Sequence, residues 1–242
     1  MHRERPCVLR ETKAVIDFLV RSCRPLLRNL DEPVLLELGG GPTIYQLLPL
    51  ASEVAQIHFT DFLASNLREV RRWTHKSRNA FDWKPYSAYT ASILSPHSSR
   101  LASSASLEDV LRSKLVLFGY CDVFDPVITS QRYQYQVINC HFVPESSTMS
   151  KSRWEIGIAN IAAKIEPGGL LFMSAVRGAG RGYMIGTKTL PAVGLDERDF
   201  VRTFRQNGLK ILEMHSMTTE PSNHYDGLIL LVARRTGLKP AV

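Results

Sequence analysis

The chain is poor in cysteine. Cys7, Cys23, Cys121 and Cys140 are the only four in 242 residues, with no Cys-x-x-Cys and no histidine at ligand spacing. A disulfide framework and a metal site are not expected, and the thiols read as reduced and structural. Long apolar runs are also missing. The longest begins at Leu228 and stops at Arg234, far short of the roughly 18 residues that a membrane span requires. The N-terminus carries Arg3, Glu4, Arg5 and Arg10, and Asp17 cuts the apolar segment that follows, so a secretory signal is not expected and the cytoplasm is the expected location. No Gly-Lys-Ser or Gly-Lys-Thr follows the glycines, which excludes a Walker phosphate loop.

What is present is a composition of 44% hydrophobic and 22% charged residues, enough for one well-cored domain over 1–242. The net charge of +7 allows anionic partners without specifying one. Its densest run, Arg68, Arg71, Arg72, Lys76 and Arg78, falls on one helix and reads first as a solvated face, with a phosphate-tracking surface as the alternative.

Apolar residues from Val15 to Leu30 recur at helical spacing, which predicts an N-terminal helical segment over 1–30 that Pro25 breaks or restarts. Val34 to Leu38 predicts a strand buried on both faces. A helix from about Ile44, a strand Ile57–Thr60, a helix Ser65–Lys76 and strands near 116–120, 136–140 and 170–174 continue the alternation. A helix Ile156–Ile165 turns through Pro167, Gly168 and Gly169, and a helix Glu197–Gln206 precedes strands Leu209–Met214 and Gly227–Ala233. The expected fold is doubly wound α/β, Rossmann-like, with a mostly parallel seven-stranded sheet and an antiparallel C-terminal strand pair. Residues 92–106 contain seven serines and Pro96, and read as a surface loop.

The chemistry gathers at Glu37-Leu38-Gly39-Gly40-Gly41-Pro42-Thr43, at the end of the first strand, with Asp61 ending the second. In a doubly wound sheet the glycines let a nucleoside approach the backbone, and an acidic residue about twenty positions on can take ribose hydroxyls. A dinucleotide fingerprint needs a third glycine where Ile44 stands. The remaining pattern, Glu-x-Gly-x-Gly, suits S-adenosylmethionine, whose sulfonium and amino group tolerate a neighbouring carboxylate.

The stretches Gly41-Pro42-Thr43-Ile44-Tyr45-Gln46-Leu47-Leu48, Thr60-Asp61-Phe62, Asn66-Leu67 and Ala80-Phe81-Asp82-Trp83-Lys84-Pro85 resemble the nicotinamide, phenylethanolamine and indolethylamine N-methyltransferases. Cys121-Asp122-Val123, Pro167-Gly168-Gly169, Gly182-Tyr183-Met184-Ile185-Gly186 and the segment around Leu231-Val232-Ala233-Arg234 extend the resemblance over Val34 to Arg235. It implies S-adenosylmethionine as cofactor, with S-adenosylhomocysteine as product. Gly39 and Gly41 would face the cofactor, Tyr45 its methionine carboxylate, and Asp61 the ribose. Phe62 would pack on adenine, Asn66 would meet the ribose or adenine edge, and Asp122 with Val123 would read the adenine amino group. Glu37, Thr43 and Asn139 complete the expected cofactor set, and Trp83 reads as core.

Two departures bear on the acceptor. The family's N-terminal lid carries paired tyrosines, and Met1–Leu30 contains none; closure by other elements, or a chain that begins later than its relatives, is expected. An aspartate of some animal members is Ser174 here, and Arg177-Gly178-Ala179-Gly180-Arg181 precedes Tyr183. Glu145 is the first candidate to hold or deprotonate an amine acceptor, with Tyr183 as pocket wall and Tyr225 or Asp226 behind it. Arg177 and Arg181 could pair with a substrate carboxylate. The expected activity is N-methylation of a small amine or ring nitrogen, in specialised metabolism. The alternatives are an RNA methyltransferase using the basic helix, and a catalytically silent cofactor-binding partner protein.

Overall fold

Seven runs become strands of one sheet, buried on both faces at its centre and partly exposed at its two edges: Val34–Leu38 (β1), Gln56–Asp61 (β2), Leu115–Tyr120 (β3), Tyr135–His141 (β4), Ile165–Arg177 (β5), Leu209–Thr218 (β8) and Gly227–Arg235 (β9). The computed structural model describes residues 8–94, 103–180, 182–185, 188–219 and 224–237. The sheet has seven strands in the order β3-β2-β1-β4-β5-β9-β8. Pairings from β3 to β5 are parallel, and β9 lies antiparallel between β5 and β8. This is the expected doubly wound sheet with its C-terminal pair. The strand order reverses between β1 and β4, which places the ligand crevice at their carboxyl ends.

Helices Arg10–Phe18 (α1), Arg24–Leu27 (α2), Ala64–Thr74 (α3), Lys84–Leu94 (α4) and Ser104–Lys114 (α5) precede β3, and Lys151–Lys164 (α6) and Glu197–Gln206 (α7) follow β4. Two cores result, one on each face of the sheet. The first joins Val15, Leu35, Leu67, Trp73, Leu111 and Phe172; the second joins Leu36, Cys140, Trp154, Ile161, Phe200 and Phe204. Trp83 is buried in the first core, as expected. Among the described residues no helix is long and apolar enough to cross a membrane.

Several sequence expectations need correction. The segment after Ile44 is not an α-helix. Leu47 N–H donates to Ile44 O and Leu50 N–H to Leu47 O, a series of tight turns that ends in a short 3₁₀ turn at Ala51–Glu53. Pro49 has no N–H to donate to Tyr45, so an α-helical ladder cannot pass through it. At Pro25, where a break or a restart was expected, the helix restarts. The chain widens into a π-helical turn over Leu19–Cys23 and resumes as α2 with Pro25 in its first turn, where the missing N–H costs little. The serine-rich stretch is framed by helices: residues 92–94 close α4, and the Ser103 hydroxyl caps α5 by accepting from Ser106 N–H at 3.2 Å. Residues 95–102, the rest of that expected loop, lie outside the described residues. The Pro167-Gly168-Gly169 turn is a bulge inside β5, because Ile165 pairs with Tyr135 and Leu170 with Val137. A hairpin of Tyr183–Ile185 (β6) and Lys188–Leu190 (β7) follows the arginine-glycine segment.

Candidate functional site

The glycine turn leaves β1 and folds back on β2. Gly39 and Gly40 N–H both donate to Thr60 O, at 3.0 and 3.1 Å, while the Thr60 hydroxyl donates to Glu37 O at 2.7 Å. A Cβ on Gly39 would lie 2.5 Å from Val143 Cγ2, and one on Gly40 2.5 Å from Phe59 Cζ. At Gly41 the same position meets only Thr43 Oγ1, at 3.9 Å. The glycines therefore divide the work: two allow close packing and the third, at φ +64°, presents an open backbone cradle. Gly39 and Gly41, expected to act alike, differ in this respect.

Asp61 ends β2 beside that turn. Its Oδ2 accepts from Gly41 N–H at 2.8 Å, and its Oδ1 accepts from Leu63 N–H at 2.7 Å and Asn66 Nδ2 at 2.9 Å. A carboxylate has about four acceptor sites, so one stays available after these three donors. Asn66 is not the helix cap: Leu63 holds that place and makes no side-chain cap, while the Asn66 amide fastens α3 to Asp61. The Thr43 hydroxyl lies 2.9 Å from Gly40 O and 3.1 Å from Gln46 Oε1, and so stiffens the loop from within.

An aromatic pair stands exposed at the same edge. Phe62 and Tyr120 have ring centroids 5.5 Å apart and are 57% and 56% exposed, a pair of ring faces open to a flat partner. Tyr120 was not anticipated, although it directly precedes Cys121-Asp122, and parallel register sets it opposite Asp61. Asp122 folds the next turn by accepting Phe124 N–H on Oδ1 at 2.9 Å, and Val123 is buried with its carbonyl accepting from Asn160 Nδ2. Tyr45 is half-buried against Trp83 and Tyr86, at 6.4 and 6.2 Å, and burial raises its phenol above the ordinary range.

Glu37 does not project toward solvent. It is fully buried, with Oε1 accepting from Gln46 Nε2 at 2.9 Å and Oε2 from Asn139 Nδ2 at 2.7 Å. Burial pushes its carboxyl up to about 8, against the pull of those two amide donors. Glu37 and Asn139, expected to bind cofactor directly, thus form a layer beneath the glycine turn.

Glu145 lies in a 3₁₀ turn, Glu145–Ser147, after β4 and is also fully buried. Its Oε1 accepts from Val176 N–H at 3.1 Å, its carbonyl accepts from Val193 N–H at 3.0 Å, and its Oε2 has no partner. Burial pushes the carboxyl up to about 7. Arg177 Nε donates to Glu197 Oε1 at 2.9 Å, which ties its side chain to the first turn of α7. Asp226 is exposed and has its carboxyl group against Gly178, where an added Cβ would fall 2.1 Å from Oδ2. Tyr183 has its backbone in β6, but its side chain and the whole of Arg181 lie outside the described residues.

On the basic helix, Arg72 pairs with Glu69, and Arg71 donates to Phe118 O at 3.4 Å while lying over that ring. Part of the suspected phosphate surface is therefore engaged within the protein.

The open cradle at Gly41, the Asp61 carboxylate with one acceptor site left and the exposed rings beside Asp122 suit an adenosine bearing a cationic tail. A sequence model of the NNMT/PNMT/TEMT family matches residues 9–236. The indolethylamine N-methyltransferase of Mus musculus is 26% identical over 207 residues, covering 84% of this chain and 76% of the relative. The nicotinamide N-methyltransferase of Sus scrofa is 25% identical over 215 residues, covering 86% and 78%. Magnesium protoporphyrin IX methyltransferase from Synechocystis, solved with bound S-adenosylmethionine, superposes with a TM-score of 0.57 at 14% identity, over 93% of this chain and 79% of that one, and shares the fold. Sequence, sheet order and site agree: the chain belongs to the NNMT/PNMT/TEMT family and is an S-adenosylmethionine-dependent methyltransferase of the class I fold.

Proposed function

We propose that the protein methylates a nitrogen of a small amine or nitrogen heterocycle, in specialised metabolism. The observation that carries this reading is the convergence of Gly41, Asp61 and the Phe62–Tyr120 pair at the carboxyl edge of β1, β2 and β3, in a chain whose curated relatives are named as N-methyltransferases. Bound S-adenosylmethionine supplies a methyl group activated by its sulfonium for transfer to a nitrogen lone pair. The protein's part is orientation, which in well-aligned intramolecular reactions is worth up to about 7–11 kcal/mol. In the proposal Asp61 holds the ribose hydroxyls, Phe62 with Tyr120 covers the adenine, and Asp122 and Val123 read its amino group. Asn66 keeps Asp61 in place, Gly39, Gly41 and Thr43 shape the loop, and Tyr45 borders the methionine end.

The acceptor nitrogen must be unprotonated. An alkylamine with a pKa near 10.4 loses about 4–5 kcal/mol at pH 7 through protonation, whereas a ring nitrogen loses almost none. Glu145 is proposed to take the amine proton through Oε2, a buried carboxyl oxygen without a partner, which is rare unless it has a use. A carboxyl raised to about 7 is also matched to proton transfer near neutral pH. Tyr183 is proposed as a pocket wall.

The test is turnover, measured as S-adenosylhomocysteine release, over a panel of alkylamines, indolic amines, pyridines and a control RNA. Turnover restricted to nitrogen small molecules is expected, and Glu145→Gln should lower kcat at least tenfold with little change in cofactor affinity. RNA as the sole acceptor, or an unchanged kcat in Glu145→Gln, would contradict the corresponding part of the proposal.

A further inference from the structure

A buried hydrogen-bond chain crosses the switch point of the sheet, and its polarity can be worked out atom by atom. Asn139 Nδ2 donates to Glu37 Oε2 at 2.7 Å, so Asn139 Oδ1 is the atom turned toward His141 Nε2, 2.9 Å away. A carbonyl oxygen only accepts, so Nε2 carries the hydrogen. His141 is 7% exposed, and burial pushes its imidazole down to about 3, so the ring is neutral and Nδ1 holds a lone pair. Ser174 Oγ lies 2.8 Å from that nitrogen and can only be its donor. Each hydrogen in the series points the same way: Ser174 to His141, His141 to Asn139, Asn139 to Glu37, with Gln46 donating to the other Glu37 oxygen. Parallel register builds it, since Glu37 pairs with Asn139 and His141 with Ser174. Glu37, Asn139 and Ser174 are fully buried.

We infer that His141 is a positioning residue for the cofactor half of the site: locked by Ser174 as the neutral Nε2–H tautomer, it orients Asn139 to hold the Glu37 carboxyl beneath the Gly39–Gly41 turn. The inference rests on the reading that this turn receives the cofactor. Aligned donors in a low-dielectric interior reinforce one another, and the Asn139 and Gln46 amides pull the Glu37 carboxyl down against the larger push of burial that leaves it at about 8. The hydroxyl of Ser174 is thereby spent inward, so this position offers the acceptor pocket neither a carboxylate nor a free hydroxyl.

Two measurements on the full chain test it. Long-range ¹H–¹⁵N correlation spectra of the ligand-free protein should show His141 as the Nε2–H tautomer, with no titration between pH 5 and 8. Ser174→Asp replaces the donor by an acceptor and should convert His141 to the doubly protonated form in that range. Calorimetry should find S-adenosylhomocysteine binding weakened about tenfold by His141→Leu, the scale expected for one lost buried hydrogen bond, and largely restored by His141→Gln, whose amide can still donate to Asn139. An Nδ1–H tautomer, or a ring titrating near 6.5, overturns the inference, and so does undiminished affinity in His141→Leu. A wild-type protein with the stated tautomer that binds no S-adenosylhomocysteine would instead overturn the assignment of the cofactor site and leave the hydrogen-bond chain standing.

Discussion

A methyl group added at Gly39 would sit 2.5 Å from Val143 at φ +68°, whereas at Gly41 it would meet only Thr43 Oγ1, at an ordinary contact distance of 3.9 Å, at φ +64°. Gly39→Ala therefore combines overlap with backbone strain and should cost about 2–4 kcal/mol, against about 1–2 kcal/mol for Gly41→Ala, where only the left-handed backbone is penalised. Denaturant melts of the two variants check the order, and equal losses would mean that the turn is not packed as described. The two buried carboxyls set a pH dependence. Burial raises Glu145 to about 7 and Glu37 to about 8, so the folded state binds protons that the unfolded state releases near 4.5. Their contribution to stability is fully present below about 4.5 and is lost as pH rises through 7 to 8. Wild type should lose stability between pH 5.5 and 8.5, and Glu145→Gln should flatten that slope; an identical slope in the variant would contradict the assignment. At this scale the glycines, Asp61 and the Cys-Asp-Val motif were legible in the sequence because each is a local signature. Tyr120 and His141 were not, because Phe62 and Ser174 reach them from neighbouring strands through register, and Gln46 was not, because its bonds to Glu37 and Gly40 depend on how the turn folds back.

At the scale of elements, punctuation decides what the sequence reveals. The helix Glu197–Gln206 was read to the residue because its signals are local, and the structure adds a capping box in which Asp196 accepts from Asp199 N–H at 3.1 Å and Asp199 accepts in return from Asp196 N–H. Asp196→Ala should cost about 1 kcal/mol, read as a lowered melting temperature; no change would mean that the box does not form in solution. Where signals conflict, the expectation failed. Apolar spacing after Ile44 suggested a helix that Pro49 prevents, and serines at 92–106 suggested a loop where Ser103 starts α5 instead. The hairpin β6–β7 went unread because two three-residue strands carry too little alternation to stand out.

For the molecule as a whole, strand order is the property that turns separate motifs into a site. Residues 37–43, 61–66 and 120–123 meet because β3, β2 and β1 are consecutive and parallel, while β4 and β5 bring Asn139, His141 and Glu145 to the other side of the reversal. Alternation of strand and helix made the fold class readable. The inward turn of Glu37 and the closure around Glu145 needed the packed sheet, since a carboxylate written before a glycine turn looks the same whether it faces ligand or core.

The most direct test of the whole account is calorimetric and thermal-shift titration of the purified protein with S-adenosylmethionine and S-adenosylhomocysteine, with Asp61→Ala in parallel. Saturable one-site binding is expected, with stabilisation of about 2.7 kcal/mol at a hundredfold excess over Kd and affinity at least tenfold weaker in a still-folded Asp61→Ala. A folded wild-type protein that shows neither heat nor shift, or an Asp61→Ala variant that binds as tightly as wild type, would contradict it.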